Sequence, residues 1–223
     1  MPASTSPKLE KDRIASHGVM QTKYIMAFTA GALLYRESLR IAEMYSSIGD
    51  WSAVRDKTLD TNLLQTRTKS TAKRILREVI SRLSGLTAEQ LAIVTDGNAE
   101  EQKCVLWLAI CKRYRFIWDF AVEILRERYL TLSGGLTRSD YASFFSAKAV
   151  WHPELEVLSP STQERLRQTL FKMMREAGLI AQDGTIVPAF LSPRVAHAIL
   201  SDRVDAIAIY PATEADIRKW ATR

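Results

Sequence analysis

Residues 99–130 constrain the fold of this chain more than any other part. Val105, Leu106, Trp107, Leu108, Ile110, Phe116, Ile117, Trp118, Phe120, Val122, Ile124 and Leu125 follow one another too closely to form a single stripe. A helix with one apolar stripe lies on a surface, whereas a helix apolar nearly all round must be enclosed. A bilayer does not serve as the enclosure. The apolar runs at 104–111 and at 25–34, the latter interrupted by Thr29, fall well short of the ~20 residues a membrane span needs. The segment is therefore expected at the centre of a helical bundle, with residues 112–115 as the candidate break between two helices.

The flanking sequence supplies the rest of that bundle. Residues 27–48 read as an amphipathic helix, with Leu33, Leu34, Ile41, Met44, Tyr45 and Ile48 at helical spacing and Gly49 as its stop. Asp50 caps a short helix that ends at Leu59. A third helix spans 66–83, its stripe formed by Ala72, Ile75, Leu76, Val79, Ile80 and Leu83, and Gly85 closes it. Thr87 and Gln90 fit a capping box that opens a fourth helix, which Gly97 and Asn98 break.

After Ser133, Gly134 and Gly135 the texture changes. Thr137 caps a helix reaching about Val150, with Asp140 at its third position. Trp151, His152 and Pro153 interrupt it, and 154–158 reads as one short helical turn. Ser159 and Pro160 open a helix that runs to Ala177 and stops at Gly178. Residues 179–181 and 185–187, joined through Asp183 and Gly184, read as a hairpin. Ser192 and Pro193 start another short helix, and 204–210 reads as a strand. The expected fold is mainly α: a polar N-terminal tail (1–23) read as flexible and without the apolar core of a signal peptide, a helical bundle (24–133), a winged helix-turn-helix module with a small hairpin (136–200), and a C-terminal extension (201–223).

The functional signal follows from that order of elements. A winged helix-turn-helix commonly sets the helix before its hairpin in the major groove of DNA. At 100° per residue, Leu166, Leu170, Met173, Met174 and Ala177 share one side of that helix. Ser161, Arg165, Gln168, Lys172 and Arg175 share the other, a set of side chains able to contact phosphates and base edges. Glu164 and Glu176 lie at its margins, and Arg138 and Lys148 add cations on the preceding helix. A solvated face used for protein contact is the competing reading. A second basic element is the third helix, where Arg67, Lys69, Lys73, Arg74, Arg77 and Arg82 face one acid, Glu78. Arg67, Lys73, Arg74 and Arg77 either extend a nucleic-acid footprint or form a solvated face. Like charges one turn apart cost about a few tenths of a kcal/mol unless a partner neutralises them. The net charge of +6 agrees with a polyanionic partner but does not require one.

Catalytic and metal-binding signatures are absent. There is no phosphate-binding loop and no dinucleotide fingerprint, and His17, His152 and His197 are isolated. Asp119 and Glu123, one turn apart, read as ion-pair partners of Arg115 or Arg126. Lys112, Arg113 and Arg115 alternate with Tyr114 and Phe116, which read as core aromatics rather than as a stacking platform for RNA. Cys104 and Cys111, seven apart on one helix, sit roughly 10 Å from each other. That is beyond disulfide reach, so they read as small buried hydrophobes. The expectation is a cytoplasmic protein that is not an enzyme, with no cofactor, metal, membrane contact or small-molecule substrate.

Six separate stretches carry a family resemblance: FTAGALLYRES (28–38), NLLQTRT (62–68) with AKR (72–74), WLAICKRY (107–114), WHPELE (151–156), REAGLI (175–180) and LSPR (191–194). At the level of these segments the chain resembles the BrxA family of BREX bacteriophage-resistance systems. The stretches extend over roughly 25–200. The resemblance implies a role in phage defence beside other BREX proteins, a helical part similar to the antitermination protein NusB, and binding to DNA. It implies no catalytic residues. Duplex DNA with low sequence specificity is the expected partner. An RNA-binding module centred on 67–82, or a protein adaptor docking other defence proteins through the helical part, are the alternatives.

Overall fold

The computed structural model describes residues 23–221. Helices α1 (Tyr35–Ile48), α3 (Lys69–Leu83) and α4 (Ala88–Asp96) pack on α5 (Ala99–Arg113), α2 (Trp51–Asp60) packs on α1 and α3, and α6 (Arg115–Phe120) continues from α5. A π-helical turn, Ala121–Arg126, carries the chain on to α7 (Glu127–Leu130). Every side chain from Val105 to Cys111 and from Phe116 to Ala121 is buried, so the apolar run forms the axis of the bundle. The break falls at Tyr114, whose extended backbone separates α5 from α6.

Local chemistry sets the helix ends. Asp50 accepts from the Ala53 N–H at 2.7 Å and opens α2. Reciprocal capping boxes open α4 at Thr87 and Gln90 and α5 at Asn98 and Glu101. Gly49 adopts φ +75° to end α1, a conformation that costs glycine least.

Two segments differ from the sequence reading. The helix expected from residue 27 begins only at Tyr35. Residues 23–34 form an extended arm that turns through Gly31 (φ +139°) and Leu34 (φ 55°). Its backbone is bonded to distant side chains instead of to itself. The Leu33 N–H donates to Glu176 at 2.8 Å, the Tyr24 N–H donates to Glu154 at 2.6 Å, and the Ala32 carbonyl accepts from Arg82 at 2.8 Å. The segment expected as a strand, 204–210, is instead a 3₁₀ helix, Val204–Ile209. No neighbouring strand is available to it among the described residues, and its amides bond locally, Ala206 N–H to the Arg203 carbonyl at 3.0 Å.

The chain's return closes the bundle. Helix α11 (Pro193–Leu200) packs on α4, where Gln90 donates to the Ala198 carbonyl at 2.8 Å. Lys112 pairs with Asp202 at 2.8 Å. The Trp107 indole donates to the Ile209 carbonyl at 3.2 Å, and the Tyr210 hydroxyl donates to the Cys104 carbonyl at 2.9 Å. Helix α12 (Glu214–Ala221) follows, with Glu214 bonded to Arg126 at 2.5 Å.

Between α7 and α11 lie α8 (Arg138–Ala149), α9 (Pro153–Glu156) and α10 (Pro160–Glu176). They join the bundle through aromatic side chains. Phe144 meets Phe116 at 5.2 Å and Phe120 at 5.3 Å, edge to face, a favoured arrangement for such rings. After α10 come two isolated antiparallel pairings, Ile180 with Ile186 and Gly135 with Thr185. Three short extended segments therefore lie side by side without forming a sheet.

Asp140 locks the entry to α8. It accepts from the Thr137 N–H and hydroxyl, both at 2.7 Å, and pairs with Arg128. Burial alone would raise its carboxyl, but the Thr137 bonds and the Arg128 guanidinium outweigh burial and hold it below the ordinary Asp value. A carboxyl that titrates lower when folded stabilises fully above about pH 4 and loses that contribution as pH falls through the folded value. Asp140→Asn is expected to lower the urea midpoint at pH 7, with the difference from wild type shrinking toward pH 3. A difference independent of pH would contradict this account.

Candidate nucleic-acid interface

Helix α10 is opened by Ser159, which accepts from the Thr162 N–H at 3.2 Å, and by Pro160 at its first position. Leu166, Leu170, Phe171, Met173 and Met174 are buried. Ser161, Arg165, Gln168 and Lys172 are exposed, so the helix presents the polar face that its periodicity predicts. Arg175 is half-buried and contributes less.

The acids at the margins divide this face. Glu164 takes Arg167 and accepts from Gln168 at 2.7 Å, and these two bonds pull its carboxyl down to about 2. Glu164 therefore stays charged, with Arg167 as its counterion, and Gln168 has one amide hydrogen committed. Glu176 lies 3.7 Å from Lys172, but its other oxygen holds the Leu33 N–H. Arg165 has no ion pair or side-chain hydrogen bond among the described residues. Arg165 and Lys172 are thus the cations best placed to meet an anion. On α8, Arg138 is exposed, whereas Lys148 is held by Glu123 at 2.6 Å and lies over the Phe144 ring.

The hairpin after α10 is shaped by glycine. Gly184 has φ +93°, and a Cβ there would stand 2.6 Å from the Leu136 carbonyl oxygen. Gly135 is equally tight: its Cβ would stand 2.7 Å from the Gly184 oxygen. Gln182 and Asp183 are exposed at the tip, where Asp183 accepts from the Thr185 N–H at 2.9 Å. That backbone bond holds the Asp183 carboxyl below its usual value.

The second basic element also faces outward. Thr68 caps α3, and Arg67, Lys69, Lys73, Arg74 and Arg77 are exposed with no ion pair among the described residues. The helix's remaining cation, Arg82, is buried and bonded to Glu78 at 2.7 Å, and the Tyr114 hydroxyl donates to the same carboxylate at 2.5 Å. The acid counted against this helix in the sequence is therefore consumed inside the core, which leaves the exposed face cationic throughout. No residue of α10 lines the depressions along α3, so the two cationic faces do not form one pocket.

Several other titratable residues singled out in the sequence are bonded within the protein. Asp119 accepts from the Tyr24 hydroxyl at 2.7 Å and pairs with Arg115 at 2.8 Å, while Glu123 turns to Lys148. His152 stacks on Tyr24 and bonds Glu154, and His197 bonds Glu89 at 3.0 Å. His17 lies outside the described residues. Cys104 and Cys111 are free, and burial pushes the Cys104 thiol up to about 12. Tyr114 and Phe116 are buried, as core aromatics should be. No helix of the described residues is long and apolar enough to cross a membrane.

Gly184→Ala is expected to cost about 1–3 kcal/mol through the forced left-handed conformation, beyond the steric contact with Leu136. Urea denaturation measures it, and a variant as stable as wild type would show that the hairpin is not held as described.

Comparison with known proteins fits this architecture. The BrxA family model matches residues 22–202. A BREX protein BrxA of Escherichia coli O9:H4 (strain HS) is 25% identical over 150 residues, covering 67% of this chain and 70% of that protein. One from Bacillus cereus (strain H3081.97) is 24% identical over 162 residues, covering 73% and 81%. The crystal structure of an uncharacterized protein from Magnetospirillum magneticum superposes with a TM-score of 0.75 at 19% identity, over 85% of this chain and all of that one, and so shares its fold. With a family match over most of its length, the chain belongs to the BrxA family of BREX systems.

Proposed function

We propose that this chain is a non-catalytic, cytoplasmic component of a BREX defence system that binds duplex DNA, with little sequence preference, through α8–α10 and the hairpin after them. The observation that carries the reading is the exposed cationic edge of α10, where Arg165 has no ion pair among the described residues and Lys172 has only the 3.7 Å contact to Glu176, on a helix whose opposite side is buried. The order of helix, short helix, helix and hairpin, with Gly135 paired to Thr185 alongside, supports a winged helix-turn-helix. Fold alone does not fix function, so the argument rests on the side chains.

Duplex DNA suits this face better than duplex RNA. The major groove of B-DNA is about 12 Å wide and admits a helix, while that of A-form RNA is too narrow for side chains to read. Low specificity follows from the inventory. Arg165 and Lys172 suit phosphates, which carry no sequence information, and Gln168 has part of its amide tied to Glu164.

Replacing Arg165, Lys172 and Arg175 together with alanine is expected to weaken duplex binding and flatten its salt dependence. The slope of log K against log salt should fall by about 0.9 for each phosphate that the protein no longer neutralises. A folded triple variant with unchanged affinity and slope in a salt-titrated gel shift would reject this site.

A further inference from the structure

Away from α10, a groove of about 720 Å³ runs between α2 and α3. Its floor is apolar: Trp51 and Leu59 from α2 and Ile80 from α3 are partly exposed, with Leu76 buried beneath them. Trp51 is held by stacking on Tyr45 at 3.8 Å, which occupies one face of the indole. The rim is charged. On α2, Arg55 is paired with its neighbour Asp56 at 3.0 Å. On α3, Lys73 and Arg77 flank the groove and, like Lys69 and Arg74 beside them, have no ion pair among the described residues. Lys69, Lys73 and Arg77 recur every fourth residue and so form one row about 12 Å long. Like charges so placed repel one another until something neutralises them.

We propose that this groove docks a short amphipathic helix of another protein, with its apolar stripe against Trp51, Leu59 and Ile80 and its acidic flank against Lys73 and Arg77. An apolar floor of one indole and neighbouring aliphatic side chains, with cations along its α3 side, matches the helix-in-groove mode, in which anchors at i, i+3 or i+4, and i+7 enter the groove. The row on α3 spans about two turns of such a ligand. Its charge selects an acidic partner and rejects a basic one. Single-stranded nucleic acid fits the same cations less well. Such strands rely on aromatic faces for base stacking, and the groove offers one indole, one face of which is already covered by Tyr45, beside the aliphatic Leu59 and Ile80. The site is independent of the DNA-binding reading of α10.

The test uses the full chain and a displayed library of ~15-residue peptides, long enough for a helix to form on binding. Selected clones should share apolar residues at helical spacing, flanked by Asp and Glu. A fluorescein-labelled clone should lose about tenfold or more in affinity with Ile80→Glu and with the pair Lys73→Glu and Arg77→Glu, by fluorescence polarisation. Circular dichroism confirms that each variant is folded. The two charge changes leave the core untouched, so they keep the test valid if Ile80→Glu unfolds. Changing the clone's acids to lysine should restore binding to the doubly reversed variant. Enrichment of no clone, enrichment of basic clones, or full affinity in both variants would overturn the proposal. So would a single-stranded 20-mer that binds wild type, loses affinity with the charge reversals and is indifferent to Ile80→Glu, since that marks a nucleic-acid surface.

Discussion

The structure depends on enclosing one helix. Trp107, Leu108, Ile110 and their neighbours leave α5 with no side that tolerates water. Each apolar methylene left exposed would forfeit about 0.8 kcal/mol, so cover must come from every direction. Helices α1, α3 and α4 supply part of it. The remainder comes from the far end of the sequence, through α11 and the 3₁₀ segment, which seat Ile209 and Tyr210 against Trp107 and Cys104. Elements from the early and late parts of the described residues thus meet around the central helix, and this arrangement fixes where the α8–α10 module emerges.

A polar network accompanies this apolar core. Arg82 and Glu78, buried together, would each be costly alone, and the Tyr114 hydroxyl and the Ala32 carbonyl supply further partners. Tyr114 stands at the break between α5 and α6, and Ala32 belongs to the N-terminal arm. One ion pair therefore ties a helix break, a surface helix and the arm to a single geometry, which helps explain why α3 can turn its other cations outward.

Much of this was legible in the sequence because helix boundaries are local events. Asp50, Thr87, Thr137, Ser159 and Ser192 cap the helices that their spacing predicts, and the polar face of α10 follows from simple rotation. The arm was not legible. Tyr24, Phe28 and Ala32 recur every fourth residue and are all buried, and nothing local distinguishes that spacing from a helix. What decides it is the pull of Arg82, Glu154 and Glu176, far away in sequence. The apolar run at 204–210 misled in the same way, because a strand needs a neighbour and none is offered among the described residues. On α10, rotation alone placed Arg165, Gln168 and Lys172 on one face but could not show Glu164 closing on Arg167 and Gln168. The groove beside Trp51 depends on the separation of two helices, although Lys73 and Arg77 were already visible as like charges one turn apart, open to a nucleic-acid or a solvated-face reading.

The arm gives the double glycine an unexpected character. By composition Gly134 and Gly135 resemble a swivel, yet Gly135 is paired with Thr185, and the arm is fastened to Glu154 and Glu176 on one side and to Arg82 on the other. Rotation about the link would tear out all of these bonds and would part Phe144 from Phe116 and Phe120. Severing the backbone at that point would leave two fragments still clasped. The cationic face of α10 and the groove beside Trp51 are accordingly held at a constant angle to each other, as on a bracket rather than a joint.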